Sequence, residues 1–509
     1  METEAQMLDV SREFHGVRLG DRRLDARLGR IVDTVRRAPH LSLPELFADP
    51  SQLEGAYRFI ENDRVDAEAI LEPHNQRTME RAARAGVVLV VHDTTTFAFE
   101  GGGREGMGTV DPSDHAGFYL HSSMCVDLEG QPLGVARTYA WHRTGTIAGK
   151  IPQSISQYNP DRESLRWNEA VHDTDDGIRA AASAAGTNVH VVHVMDREVD
   201  AIELQADMMA HGRSFVMRAK ADRRLQPGRK ATNDKLFGSL TSEPVRVTSE
   251  VVVVRRQVHR SRPARNPNRK AGRQRATRIS WGETRIAQLE VRAARRTVHR
   301  GNGGHAHVPA GGLDLGVVHI QEVDAPDGVE PVCWYLLTDL AVATDADIEF
   351  VIAAYRRRWL IEELHKALKT GCTFEEHQFE HGDRYLRMLA IYLPIASQML
   401  RMRWFDRFRA DADATAVLDA DQLQALRAHQ LSKRTPLQDK PTVSDVLRVI
   451  ARLGGHLPQN GPPGWQIIGR GFATLHTLTE GWRAARAWFL AQNAPRDDEI
   501  GEDEGSPEM

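Results

Sequence analysis

Apolar residues recur every three or four positions over residues 19–38, "LGDRRLDARLGRIVDTVRRA", and again over 54–62, "EGAYRFIEN". That spacing predicts short helices, with arginines on their polar sides. A further helix is expected over 67–85, interrupted at Pro73. The period then changes. "GVVLVVHDTTTFAFEG" (86–101) is a near-continuous apolar run and predicts a buried strand whose end carries Asp93. "GFYLHSSMCVDLEG" and "QPLGVARTYAWHR" predict two more strands with a turn near Gly130, and a polar helix is expected over about 161–186. "NVHVVHVMDREVDAIELQADMMAHG" (188–212) reads as strand, then Asp196, then helix, and "RSFVMRAK" (213–220) as another strand. Residues 222–312 hold short alternating β pieces and read as an insertion. "LDLGVVHIQEVD" and "VCWYLLTD" resume strand character before a helix over 355–372, a long apolar helix over 385–405 and a helical remainder.

The succession β-β-β-α-β-α-β, an insertion, then α predicts an α/β sheet domain interrupted before its last helix. The expected organisation is an N-terminal helical domain (1–66), an α/β domain (67–408) with a basic β-rich insertion at about 222–312, and a C-terminal helical domain (409–509). No stretch reaches 18 apolar residues, so no membrane span is expected. The acidic start "METEAQMLDV" lacks the apolar core of a secretory signal. Three cysteines, Cys125, Cys333 and Cys372, fit a reducing cytoplasm.

Charge alters the picture through its distribution. The net charge is −4, but the last 13 residues, "DDEIGEDEGSPEM", hold seven acids and no base. Residues 255–278 hold ten Arg or Lys and no acid, the footprint of a polyanion partner. The acidic tail is expected to be disordered.

The stretch "YRRRWLIEELHKALKTGC" (355–372) carries the sharpest chemistry. On one regular helix, Tyr355, Arg358, Glu362, Lys366 and Lys369 fall within an arc of roughly 80°. Glu362 is a better fit to that arc than its neighbour Glu363. With Asp93 and Asp196 it supplies three carboxylates, a hard-oxygen set suited to Mg2+, whose remaining ligands come from water and substrate phosphate. Two such ions can run phosphoryl transfer. Arg358 and Lys369 are candidates for holding phosphates, with Lys366 and Tyr355 as further donors. Asp200 competes with Asp196; Asp196 is preferred because it ends the apolar strand. "GGGREGMG" (101–108) lacks the Lys-Ser/Thr ending of a phosphate loop, and Cys372, His377 and His381 are too widely spaced for a zinc site.

These motifs resemble those of the bacterial DDE transposases of the insertion sequence 4 family. The resemblance is carried by "HDTT" with Asp93, "DREVD" with Asp196, and Y-x2-R-x3-E-x6-K at Tyr355, Arg358, Glu362 and Lys369. "LGDRRLDARL", "EGAYRFIEN", "LIEELHKALKTG", "ARLGG" and "EGW" extend it along nearly the whole chain. It implies an RNase H-like catalytic core flanked by N- and C-terminal helical regions, with Asp93, Asp196 and Glu362 binding two Mg2+ ions, or Mn2+ in their place. It further implies that Tyr355, Arg358 and Lys369 hold a DNA end and that Trp334 stacks on a flipped base. Arg27 and Arg58, with Arg218 and Lys220, are implied as further DNA contacts. The expected partners are double-stranded DNA, both terminal repeats and target, and a second copy of the chain that contacts the first through residues 409–495. Two other functions remain open: a stand-alone RNase H-like nuclease and a non-catalytic DNA-binding inhibitor of transposition.

Overall fold

The computed structural model describes residues 9–100, 104–110, 115–142, 163–225, 235–260, 277–299, 308–326, 329–431, 436–457, 459 and 463–493. Residues 261–276, the greater part of the basic stretch, lie outside the described residues, as do "GNGGHAH" and the acidic tail.

In chain order, a 3-10 turn (Val10–Phe14) precedes α1 (Arg22–Val35), a single helical turn (Leu43–Leu46), α2 (Pro50–Ile60) and α3 (Ala67–Ala83). Strands β1 (Val87–Phe99), β2 (Gly108–Thr109), β3 (Ala116–Asp127) and β4 (Pro132–Trp141) follow, then α4 (Glu163–Ala185), β5 (His190–Met195), α5 (Ile202–Ala210) and β6 (Ser214–Arg218). Next come β7 (Val247–Arg260), β8 (Thr277–Val298), β9 (Leu313–Val323) and β10 (Cys333–Thr338). Helices α6 (Asp345–Arg356), α7 (Trp359–Lys366), α8 (Gly382–Phe408), α9 (Ala420–Gln430), α10 (Val443–Leu453) and α11 (Trp465–Gln492) complete the chain. The protein is therefore mixed α/β, with helical segments towards both ends. No helix among the described residues is long and apolar enough to cross a membrane.

The chain divides into two compact units. The first comprises Met1–Ala82, Thr94–Ala148 and Leu360–Met509; the second comprises Ala83–Asp93 and Gly149–Trp359. In the second unit the strand order is β1-β5-β6-β10-β9-β8-β7. Strands β1, β5 and β6 run parallel, and β10, β9, β8 and β7 continue antiparallel. Both faces of the parallel strands are covered, which is why they read as mostly apolar runs without polar alternation: Val88 to Val91 are all fully buried. Trp167 and Val171 of α4 pack with Met195, Phe215, Met217, Leu315 and Leu337 in its core. In the first unit, β3 lies between β2 and the latter part of β1, and β4 pairs with β3. A separate helical core there joins Trp404 and Phe405 of α8 to Val446 and Ile450 of α10 and Leu475 of α11.

A buried ionic cluster ties the N-terminal turn into the first unit. Glu13 is 2% exposed and accepts from Arg81 (2.6 Å) and from His74 Nδ1 (2.7 Å), while Arg401 Nη1 stands 3.8 Å away. Arg401 also donates to the carbonyls of Pro132 (3.0 Å) and Leu133 (2.9 Å) on β4. His74 Nε2 accepts from the Val135 N–H (3.1 Å), so its proton sits on Nδ1 and the ring is neutral. Burial, which disfavours the imidazolium, lowers its pKa and agrees with that tautomer. Burial also opposes the Glu13 charge, but His74, Arg81 and Arg401 outweigh it and hold the carboxyl ionised.

Four sequence expectations are corrected. Strand β1 does not end at Asp93 but runs on to Phe99. The continuation is held by β3, where a Cβ at Gly117 would sit 2.0 Å from the Phe97 carbonyl. Helix α3 is not interrupted at Pro73 but runs through it. The β pieces in 222–312 are not short: β7 spans 14 and β8 spans 22 residues, and β8 pairs with β9 along the same sheet. Lastly, 355–372 is not one helix. Helix α6 closes with i→i−3 bonds from Arg357 to Ala354 (3.1 Å) and from Arg358 to Tyr355 (3.0 Å). Helix α7 then restarts at Trp359 and ends in a π-helical turn, Ala367–Gly371. No proline causes the break. Ile348, Val351 and Ala354 of α6 and Leu360, Ile361 and Leu364 of α7 are all buried on either side of the break. Tyr355 thus belongs to α6, Arg358 to the break, Glu362 and Lys366 to α7, and Lys369 to the π-helical turn.

Candidate active site

In the second unit the sheet register lines up a row of side chains. Val91 on β1 is level with Val194 on β5, so two further residues along each strand bring Asp93 level with Asp196. Asp196 keeps extended backbone, φ −87° and ψ 174°, before a 3-10 turn starts. Met195 is level with Met217 on β6, so Asp196 is level with Arg218. Arg218 in turn is level with Leu336 on β10. Aligned residues of paired strands share a face, and so do alternate residues of one strand. Asp93, Asp196, Arg218 and Trp334 thus stand on one face of four adjacent strands.

Helix α6 brings Tyr355 to that row, where its hydroxyl donates to Asp196 Oδ1 at 3.2 Å. Burial first, then the adjacent Asp196 carboxylate, push the phenol up to about 12, against the pull of Arg358 and Arg218. Tyr355 is therefore a protonated donor at neutral pH. Trp334 is half-buried and meets the Tyr355 ring edge-on, centroids 5.4 Å apart. The Arg218 guanidinium donates to the Cys333 carbonyl (3.3 Å), which fixes it at the strand end. Two carboxylates flanked by guanidinium groups offer oxygen ligands of the kind a hard cation takes, beside donors suited to phosphate oxygens.

Asp200 plays a different part. Its side chain is fully buried and accepts from Arg223 (2.5 Å), the Lys220 and Ala221 amides (2.7 and 3.0 Å) and Gln205 (3.0 Å). Its oxygens are spent on clamping the loop after β6. Lys220 meets this clamp through its amide, and the residue is exposed.

Sequence patterning missed a polar ladder beneath the row. His92 on β1 hydrogen-bonds His193 on β5 (2.9 Å), and His193 meets Asp175 of α4 at 3.4 Å. Asp175 is also paired with Arg179 (2.5 Å) and Arg213 (3.4 Å). Burial disfavours the Asp175 charge, but the bonds from His193 and Arg179 prevail and lower its pKa. The available signal was a histidine inside each apolar strand run, since a fully buried imidazole needs a partner.

The other candidates lie in the first unit. Glu362 is exposed on α7. Its neighbour Glu363 pairs with Arg403 (3.2 Å) and Lys366 (3.8 Å). Lys369, in the π-helical turn, donates to the Thr96 carbonyl, pairs with Glu375 (3.5 Å) and lies over the Phe97 ring. Arg27 of α1 packs its guanidinium where a Cβ on Gly55 of α2 would stand. Arg58 is exposed and pairs with Glu54 (2.5 Å). Cys372 is buried, and His377 is spent on the Tyr392 hydroxyl (3.1 Å).

Comparison with known proteins bears on both ends of this description. Along 94% of this chain and 78% of its own, the piggyBac transposase in a synaptic complex with hairpin DNA aligns at 11% identity and a TM-score of 0.34, a level from which shared architecture does not follow. Residues 9–65, which span α1, α2, Arg27 and Arg58, match the Transposase DNA-binding family.

Proposed function

We propose that the chain is a cut-and-paste DNA transposase of the insertion sequence 4 family, most like the transposase of transposon five, acting through an RNase H-like core. The row Asp93–Asp196–Arg218, with Tyr355 donating to Asp196, is the observation that carries this reading. The match of residues 9–65 to a transposase DNA-binding family supports it.

On this reading Asp93, Asp196 and Glu362 hold two Mg2+ ions, for which Mn2+ substitutes. Bound there, the ions supply an activated attacking oxygen and charge neutralisation on the leaving one. An all-carboxylate donor set fits such hard cations. Tyr355 orients Asp196, while Arg358, Arg218 and Lys369 hold phosphate oxygens of the DNA end. Trp334 offers its face to an unstacked base. Arg27, Arg58, Lys220 and Lys366 bind the DNA backbone, and residues 409–495 join two copies around two ends. Water attacks phosphorus at the transposon end and releases a 3′-OH. That hydroxyl attacks the opposite strand and closes a hairpin. A second water reopens it, and the 3′-OH joins target DNA. Each step exchanges one P–O bond for another, so one site serves all four.

The test is an end-cleavage assay with purified protein, Mg2+ and DNA bearing the repeats that flank the coding region. Nicks, hairpins and joined products are expected, and Glu362→Gln is expected to abolish all three. Full cleavage by that variant removes Glu362 from the site. Nicks without hairpins indicate a stand-alone nuclease, and end binding without cleavage indicates a non-catalytic inhibitor.

A further inference from the structure

We infer that His172, Asp207 and His211 form a second metal site, for a borderline divalent ion of which Zn2+ is the best fit. One ligand atom from each of these residues lies within 4.8 Å of the other two, the one such grouping among the described residues. The site belongs wholly to the second unit and shares no residue with the carboxylate row.

Local structure builds two-thirds of it. Asp207 and His211 are four residues apart at the C-terminal end of α5, which places both on one helix face. His211 caps that helix, its Nδ1 lying 2.8 Å from the Asp207 carbonyl and 3.4 Å from Asp207 Oδ1. His172 approaches from α4, with Nε2 2.6 Å from Asp207 Oδ2. The two imidazoles stand perpendicular, ring centroids 4.9 Å apart.

The donor chemistry selects the ion. Two imidazole nitrogens and one carboxylate oxygen suit Zn2+, whereas Mg2+ takes oxygen ligands. Three protein ligands leave a fourth position for water. With metal–ligand bonds of about 2.0–2.2 Å, tetrahedral geometry sets donor atoms roughly 3.4 Å apart. Asp207 turns Oδ2 to His172 Nε2 (2.6 Å) and Oδ1 to His211 Nδ1 (3.4 Å), so the carboxylate offers one oxygen to each imidazole's side of the ion. On binding, the His172–Asp207 pair parts and His211 Nδ1 gives up its proton and its bond to the Asp207 carbonyl. Side-chain exposures of 25% for His172, 28% for Asp207 and 53% for His211 give the ion a path from solvent. A bound ion cross-links α4 to α5, the helix that follows the Asp196–Asp200 loop.

The experiment is Zn2+ titration of the full-length, EDTA-stripped protein against a chromophoric chelator, with excess Mg2+ present to occupy hard-oxygen sites. His172→Ala and His211→Ala are measured in parallel, with circular dichroism as the check on folding. Wild-type protein is expected to take up one equivalent of Zn2+ that Mg2+ does not displace. Each variant is expected to bind that equivalent at least tenfold more weakly. Co2+ in place of Zn2+ is expected to give visible d–d bands in the wild type that both variants lose. Undiminished uptake by both variants, or no uptake by the wild type, overturns the assignment. No readout depends on DNA cleavage, so failure of the transposase reading and failure of this one are told apart.

Discussion

Glu13→Gln tests the buried cluster that anchors the N-terminal turn. The substitution is nearly isosteric but removes the one negative charge shared by Arg81 (2.6 Å) and Arg401 (3.8 Å). Both guanidinium groups are buried, at 8% and 1% exposure, and their bonds to the Pro132 and Leu133 carbonyls carry no compensating charge. Breaking a buried ion pair by removing one partner costs about 3–5 kcal/mol, because the surviving charge stays out of water. In a body of this size 1 kcal/mol moves the melting temperature by about 2 °C, so a fall of about 6–10 °C is expected by differential scanning calorimetry. Arg81→Met alone is expected to destabilise comparably. The double variant is expected to lose less than the sum of the two singles, by at least about 1 kcal/mol, since the groups interact directly. A shift under 2 °C for Glu13→Gln, or strict additivity, refutes the claim that this cluster carries charge-dependent stability.

Three further outcomes follow from the geometry. Tyr355→Phe removes a neutral-to-charged hydrogen bond worth about 1.5–3 kcal/mol, so kcat for DNA-end cleavage is expected to fall roughly 10- to 100-fold with the fold intact; an unchanged rate removes Tyr355 from the site. Asp200→Asn is expected to lower thermal stability through the loss of its Arg223 partner, yet to leave Mn2+ affinity by calorimetry within about twofold, whereas Asp196→Asn abolishes that binding. Burial lowers the pKa of His121 to about 3 and of His377 to about 4. Both lie below the unfolded value of about 6.5, so the unfolded chain binds more protons as pH falls and stability declines from about pH 6.5 downwards. Two such histidines cost together about 4 kcal/mol at pH 5, to be read from urea midpoints at pH 7, 6 and 5.

What the sequence determined by itself was local. Mostly apolar Val-rich runs marked β1 and β5 as strands covered on both faces, three-to-four spacing marked α1 and α2, and the end of the apolar run at Met195 put Asp196 at the close of β5. Periodicity reports which face of its own segment a residue takes, and it was sufficient there. Its failures lay where a distant partner decided the outcome. Phe97 and its neighbours stay in β1 because β3 pairs with them, and the 355–372 segment divides at Arg357 and Arg358, where i→i−3 bonds close α6 before α7 restarts. Asp196 and Asp200 are chemically identical in the sequence. Only the folded loop shows that Arg223 and two amides consume Asp200, while Asp196 keeps a place beside Arg218 and Tyr355. Alignment of residues 93, 196 and 218 on one face is a matter of strand register. Register is fixed by hydrogen bonds between separate segments, about twenty residues apart for β5 and β6 and about a hundred for β1 and β5, an energy that no window of local periodicity contains.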